Sequence, residues 1–163
     1  MEKEFASLAA ASMVRLCFDK LESSGWSGRL YTRFKAAPAS FNSEGQLLAF
    51  LEQFYNYLDY PQASVKSHSF NGPGIGDKKA AEPYYRRRQR GELVEVESIK
   101  EMEKRHGEKA TFIVRIQYRQ NATWQGEVTW AEKDKTQSFR SALELLKLID
   151  STEKETREME WDS

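Results

Sequence analysis

Apolar and polar residues alternate along two stretches of the chain, one near each end. In a strand such residues fall on opposite faces, so each stretch predicts a half-buried β-strand. The apolar positions are Val14, Leu16 and Phe18 in the first stretch, and Phe112, Val114, Ile116 and Tyr118 in the second. Polar residues with turn chemistry follow each stretch, and a second alternating stretch follows the turn. The pattern therefore predicts two β-hairpins.

The returning strand of each hairpin carries a Trp-x-Gly motif. Trp26 and Gly28 form the first, and Trp124 and Gly126 form the second. Residues two apart in a strand share a face. We expect each glycine to leave room for a neighbouring ring or helix to approach.

A helix is predicted after each hairpin. Ser43 and Ser141 each begin the pattern S-x-x-[EQ] of a capping box, in which the serine hydroxyl accepts a hydrogen bond from a free amide of the first turn. Apolar residues at helical spacing follow. They are Leu47, Leu48, Leu51, Phe54, Tyr55 and Leu58 in the first helix, and Ala142, Leu145, Leu146 and Ile149 in the second. The second helix is expected to continue into the charged tail.

The two halves of the chain are similar to each other. Trp26 and Ser43 match Trp124 and Ser141 at an offset of 98, whereas the first strands match at an offset of 100, as if the first turn had two extra residues. The sequence predicts an α+β fold of two pseudo-repeated β-β-α units that form antiparallel sheet, with the helices packed on one face. Because one such unit has a small core, we expect the two units to pack together or to complete each other's sheet. Two unrelated units of similar composition are the alternative.

The predicted organisation has three parts. Residues 1–70 form the first unit, with further strand material at 63–70, and residues 71–91 form a flexible, glycine-rich and basic linker. Residues 92–163 hold a helix, the second unit and an acidic tail. The helix is placed at 92–106, and a short strand at 93–96 is the alternative.

Composition narrows the class of protein. Of the 163 residues 39% are hydrophobic, which is enough for a packed core, and no apolar run is long enough for a membrane span. The N-terminus has no basic segment before its apolar residues, which argues against a signal peptide. Cys17 is the one cysteine, which suits a reducing compartment. A cytoplasmic protein is therefore expected, with Cys17 as a small, half-exposed residue.

Charge is balanced overall but not locally. The chain has 25 basic and 25 acidic residues. Residues 73–90 include six basic and two acidic residues, which gives a net charge of +4. Residues 151–163 include two basic and five acidic residues, which gives a net charge of −3. The basic centre and the acidic tail could attract each other or serve different partners.

The strongest functional signal is a cluster of tyrosines and arginines in the linker, Tyr84, Tyr85, Arg86, Arg87, Arg88 and Arg90. Tyrosine rings stack on bases and arginines contact phosphates, so the cluster suits single-stranded nucleic acid or a partner that carries it. Arg115, Gln117 and Arg119 are predicted to extend the basic surface from the polar face of their strand. Arg15 and Arg29 could extend it as well. A solvated linker is the alternative for the cluster.

Other chemistry has weaker support. Two histidines and one cysteine do not make a Cys/His metal site, and the glycine-rich run at 72–76 lacks the G-K-[ST] ending of a phosphate loop. A metal-dependent nuclease could use carboxylates, of which Asp19, Glu22, Glu127 and Asp134 lie on predicted strands or turns. Nothing fixes their mutual geometry, so no catalytic residue, metal or cofactor is predicted.

Four segments carry a resemblance to a known family. They are ATFIVRIQYRQNATWQGEVTW, FRSALELLKLID, FDKLESSGWSGRLY and YPQASVKS. They resemble a family of small proteins carried on mobile elements of Gram-positive bacteria, a setting that includes anti-CRISPR proteins. The resemblance implies a non-enzymatic inhibitor of a host defence effector such as a Cas9–guide RNA complex, and it assigns no catalytic residue. A small RNA- or DNA-binding regulatory protein and, with less support, a nuclease are the alternatives.

Overall fold

The six described strands form one antiparallel sheet. The structure, a computed structural model, describes residues 12–58, 98–119 and 123–162. The strands are β1 (Val14–Glu22), β2 (Gly25–Thr32), β3 (Lys35–Phe41), β4 (Ala110–Tyr118), β5 (Gln125–Trp130) and β6 (Lys135–Phe139), in the order β3-β2-β1-β4-β5-β6. The helices are α1 (Glu44–Leu58), α2 (Ile99–Glu103) and α3 (Ala142–Asp162). The predicted α+β class and antiparallel sheet are confirmed.

Strands β1 and β4 join the two halves of the chain at the centre of the sheet. Val14 lies opposite Val114, and Leu16 lies opposite Phe112. Of the two expected arrangements, the structure has the one in which the two halves complete each other's sheet.

Each half has a third strand that the sequence analysis did not predict. Strands β3 and β6 are the two edges of the sheet. Strand β3 contains Pro38, and the first four residues of β6 are exposed, so neither shows the apolar alternation that reveals a half-buried strand. The observed order in each half is β-β-β-α, which corrects the predicted β-β-α.

The main core lies between one face of the sheet and the two long helices. Leu47, Leu51, Phe54, Tyr55 and Leu58 of α1 are buried there, as are Leu145 and Ile149 of α3. The predicted apolar stripes thus face the core, with Leu48 and Leu146 at its margin. Trp26 is also buried, with its ring edge-on to that of Phe18 at 5.6 Å between centroids, and Trp124 packs partly buried against the core.

Both predicted helix N-caps are present. The Ser43 hydroxyl accepts a hydrogen bond from the Gln46 amide at 3.1 Å, and the Ser141 hydroxyl accepts one from the Glu144 amide at 3.1 Å. In the first motif the Gln46 side chain accepts from the Asn42 amide, one residue before the cap. The caps fix where α1 and α3 begin, at corresponding points after β3 and β6.

Glycine is needed at positions 28 and 126 because the backbone of the adjacent strand leaves no room for a β-carbon, and not because a ring or a helix packs there. A β-carbon at Gly28 would collide with the carbonyl of Cys17 on β1, and one at Gly126 would collide with the carbonyl of Arg115 on β4. The expected reason for the glycines is therefore corrected. They allow two strands to approach closely next to an irregularity in the sheet.

That irregularity is a register shift, one in each inner hairpin. It falls between Phe18 and Lys20 in the β1–β2 ladder and between Ile116 and Tyr118 in the β4–β5 ladder. Phe18 pairs with Gly28 and Ile116 pairs with Gly126, so the offset between the halves is 98 in these strands also. The expected offset of 100 and the two extra turn residues are wrong.

The short helix α2 lies on the opposite face of the sheet from α1 and α3. Its Met102 is buried with Cys17 and Tyr31, which alternate with the core-facing residues of β1 and β2. The prediction that the helices pack on one face of the sheet is therefore correct for α1 and α3 but wrong for α2. Ser98 is extended and caps α2, which spans only Ile99–Glu103, so the continuous helix predicted over 92–106 is wrong.

Several predictions lie outside the described residues. These concern the strand at 63–70, the linker at 71–91, and residues 92–97 of the predicted helix with the alternative strand at 93–96. Among the described helices none is long and apolar enough to cross a membrane.

Candidate functional site

The face of the sheet opposite the long helices has two different halves. Over β1 and β2 it is covered by residues 98–109, which we call the strap. Arg15, 5% exposed, fixes the strap because its Nε donates to the Arg105 carbonyl at 2.6 Å and its Nη2 to the Glu103 carbonyl at 3.4 Å. This guanidinium serves the fold and is not presented to a ligand.

Arg29 forms the second attachment of the strap. Its Nε and Nη2 each donate to a carboxylate oxygen of Asp19 at 3.1 Å, and Nη2 also donates to the His106 carbonyl at 3.0 Å. Its Nη1 donates to the Tyr31 hydroxyl at 2.8 Å. The hydrogen bond to Asp19 raises the pKa of Arg29. A bidentate pair of this kind orients both side chains, so they are engaged within the protein.

Cys17 lies beneath the strap and is fully buried. Burial raises the pKa of its thiol to about 11, against the opposing influence of Arg29 and Arg15. The expectation of a half-exposed cysteine is wrong, because the strap covers this face of β1. A neutral, buried thiol is a poor nucleophile.

Cys17 should consequently resist alkylation in the folded protein. With the pKa at about 11 rather than 9.0, the thiolate population at pH 8 falls by about a hundredfold, and burial restricts access further. We expect iodoacetamide to label native Cys17 at least about a hundredfold more slowly than the urea-unfolded chain, measured by mass spectrometry. Equal labelling rates in both states would show that the strap does not cover β1.

The carboxylates considered for a nuclease are not brought together. Asp19 is paired with Arg29 on β1, Glu127 lies on β5, and Asp134 lies in the turn before β6. Among the described residues no group of three His, Cys, Asp or Glu side chains could hold a metal ion.

The other half of this face is exposed on β6 and at the end of β4, and half-buried on β5. We call it the exposed half-sheet; it consists of Arg115, Gln117, Tyr118, Glu127, Thr129, Thr136 and Ser138. Arg115 is exposed and pairs in register with Glu127, and its Nη2 lies 3.7 Å from the Met13 sulfur. Tyr118 is 54% exposed, although tyrosine rings are normally more buried. The surface thus combines a cation, an aromatic ring and hydroxyl groups.

The residues that attach the strap have no equivalent in the exposed half-sheet. At an offset of 98, Arg15 and Tyr31 correspond to Ile113 and Thr129. Likewise, Arg29 and Asp19 correspond to Glu127 and Gln117. The exposed half-sheet therefore has no counterpart of the Arg29–Asp19 pair, and no counterpart of the two guanidinium groups that bind strap carbonyls. This half of the face could not hold a second strap by the same contacts.

The structure separates the two arginines predicted to share a basic surface. Arg115 is exposed as expected, but Arg119 is 5% exposed and contacts the end of α1. The shift between Ile116 and Tyr118 reverses the alternation, so Tyr118 points out and Arg119 points in. The prediction that Arg119 extends the surface is wrong. Tyr118 was missed because sequence alternation placed it in the core.

The tyrosine–arginine cluster, Tyr84 to Arg90, lies outside the described residues. No family model, curated protein or solved structure matches the chain. The candidate site therefore depends on the chemistry of Arg115, Tyr118 and their neighbours.

Proposed function

We propose that the protein is a non-enzymatic binding protein of a mobile genetic element, which inhibits a host defence effector such as a Cas9–guide RNA complex. The observation that carries the proposal is the exposed half-sheet. Its Arg115 and Tyr118 face outward from the sheet, whereas Arg15 and Arg29 of the other half donate to backbone carbonyls of the strap. The resemblance to small proteins of mobile elements supports the class of partner.

The two outward side chains suit a partner that carries RNA. A guanidinium donates to phosphate or carboxylate oxygens, and a tyrosine ring stacks on a base or fills a protein pocket. Glu127 opposite Arg115 reduces the net charge of the surface, which favours a mixed protein and RNA surface over bare polyanion. The cluster from Tyr84 to Arg90 would add further phosphate contacts.

Truncating both outward side chains should weaken this complex. We expect the double variant Arg115→Ala, Tyr118→Ala to bind a Cas9–guide RNA complex at least about tenfold more weakly than the wild type, as for interface anchors. Gel filtration of the mixture and inhibition of target cleavage measure the effect. The control is Lys104→Ala, Leu143→Ala, which removes one exposed cation and one exposed apolar side chain elsewhere.

Other experimental results would contradict the proposal or favour one of the alternative functions. Absence of any complex, with target cleavage intact, would exclude Cas9 as the target. Binding to bare RNA or DNA that weakens steeply with salt and is abolished by replacing Arg86, Arg87, Arg88 and Arg90 would favour the regulatory alternative. Divalent-metal-dependent degradation of RNA or DNA would favour the nuclease.

We also infer that the two halves are copies of one structural unit. At the offset of 98 both register shifts correspond, both glycines lie opposite the neighbouring strand in the same way, and both serine caps begin a long helix. Strand β2 pairs with β3 as β5 pairs with β6, with Gly28 opposite Phe41 and Gly126 opposite Phe139. These agreements support a duplication whose exposed faces then diverged.

A further inference from the structure

The strap and the main core are separate parts of the buried structure. Met102 of the strap packs with Cys17 and Tyr31 on one face of the sheet, whereas the main core lies on the other face under α1 and α3. The two arginines described above add polar attachments to the strap backbone. A segment with few buried apolar contacts opens at a lower free-energy cost than the core does, so the strap is the part of this face that can open first.

The C-terminal end of the strap is held differently from the rest. The Lys109 amide donates to the Phe18 carbonyl at 2.9 Å, next to the last pair of the β1–β4 ladder. Gly107 lies so close to the Phe18 backbone that a β-carbon at this glycine would overlap it. Because these contacts join backbone to backbone, residues 107–109 can stay in place while residues 98–106 leave the sheet.

The strap covers side chains of the same kinds as those of the exposed half-sheet. They are Arg15, Arg29 and Tyr31. Arg15 pairs in register with Ile113, two residues before Arg115, so the covered and exposed parts form one continuous face of the sheet. The strap carbonyls of residues 103, 105 and 106 accept from the two covered guanidinium groups. Phosphate oxygens accept from guanidinium groups in the same way.

We propose that the strap is a displaceable cover: residues 98–106 leave the sheet as one unit, and phosphate oxygens of an RNA-carrying partner replace the strap carbonyls. The binding surface then consists of the exposed half-sheet together with Arg15, Arg29 and Tyr31. In the free protein the strap is closed, because closure supplies oxygen acceptors to both guanidinium groups. The identity of the partner rests on the proposed function, whereas the opening is a property of the chain alone.

Labelling of Cys17 at increasing urea concentrations tests the opening. A local opening exposes little surface, so the rate of iodoacetamide labelling at low urea should be nearly independent of the urea concentration. The rate should rise steeply only where global unfolding takes over. A steep rise from the lowest urea concentrations would show that only global unfolding exposes Cys17, and it would overturn the proposal.

A variant of the strap and a variant of the main core separate local from global opening. Met102→Ala removes the apolar contact of the strap, and we expect labelling at low urea to be at least about tenfold faster than in the wild type. The control is Ile149→Val, which weakens the main core and should leave this rate unaltered. Equal acceleration by both variants would contradict a separate opening of the strap. If Met102→Ala fails to fold, the urea dependence of the wild type decides.

Partner binding tests the function of the opening. A chain that is already partly open has less closed state to displace, so Met102→Ala should bind the Cas9–guide RNA complex at least about threefold more tightly. Ile149→Val should bind as the wild type does. Unaltered or weaker binding by Met102→Ala would overturn the displacement, and an equal gain with RNA-free Cas9 would overturn the assignment to RNA. Absence of any complex would instead contradict the proposed function, while the labelling experiment still decides whether the strap opens.

Discussion

Replacing Gly28 or Gly126 by alanine is expected to lower the free energy of unfolding by about 3 kcal/mol in each case. The added methyl group would overlap the carbonyl of Cys17 or of Arg115, which belongs to the backbone of the adjacent central strand. Backbone in the middle of a sheet cannot move aside as a flexible side chain could. The strands must therefore separate, at the cost of ladder hydrogen bonds and of packing beneath them.

Urea denaturation followed by tryptophan fluorescence measures this loss, since Trp26 and Trp124 lie next to the two glycines. Gly45→Ala is the matched control, because a β-carbon there would meet nothing within 4 Å and the residue lies in α1. That variant should be more stable by about 0.5 to 1 kcal/mol, from helix propensity. Equal effects at Gly28 and Gly45 would refute the close approach of β1 and β2.

The elements with strong periodicity could be predicted from the sequence. The apolar stripe ending at Leu58 and the caps at Ser43 and Ser141 are local signals, and local rules decide helix boundaries. The inner hairpins were also predictable, because their strands are buried on one face. Strands β3 and β6 were not, since an edge strand is stabilised by its neighbour and need not carry an apolar pattern.

The candidate site was less predictable for a different reason. Sequence alternation assumes that every residue turns to the opposite face, and one extra residue in a ladder breaks the assumption. The shift after Ile116 exchanged the roles expected for Tyr118 and Arg119. The strap was missed as well, because the contacts that hold it join residues 77 to 90 positions apart.

Arg119 belongs to the fold and not to the exposed surface. Its Nη1 donates to the Asn56 side chain at 2.7 Å and its Nη2 to the Tyr55 carbonyl at 3.3 Å, both in the last turn of α1. That turn contains no basic residue of its own, so Arg119 supplies the positive charge that a helix C-terminus favours. The position corresponds, at the offset of 98, to buried Leu21 in the first half.

Arg119→Ala should accordingly destabilise the protein by about 2 to 3 kcal/mol, because the Tyr55 carbonyl and the Asn56 amide group lose a buried charged partner. Arg115→Ala removes the same side chain type from the exposed half-sheet and should change stability by less than about 0.5 kcal/mol. Partner binding by the folded fraction should show the reverse order, with Arg115→Ala impaired and Arg119→Ala retained. Urea denaturation and gel filtration of the same two variants give both quantities. If Arg119→Ala left stability unaltered and abolished binding, Arg119 would have to be exposed, and the register shift after Ile116 would be wrong.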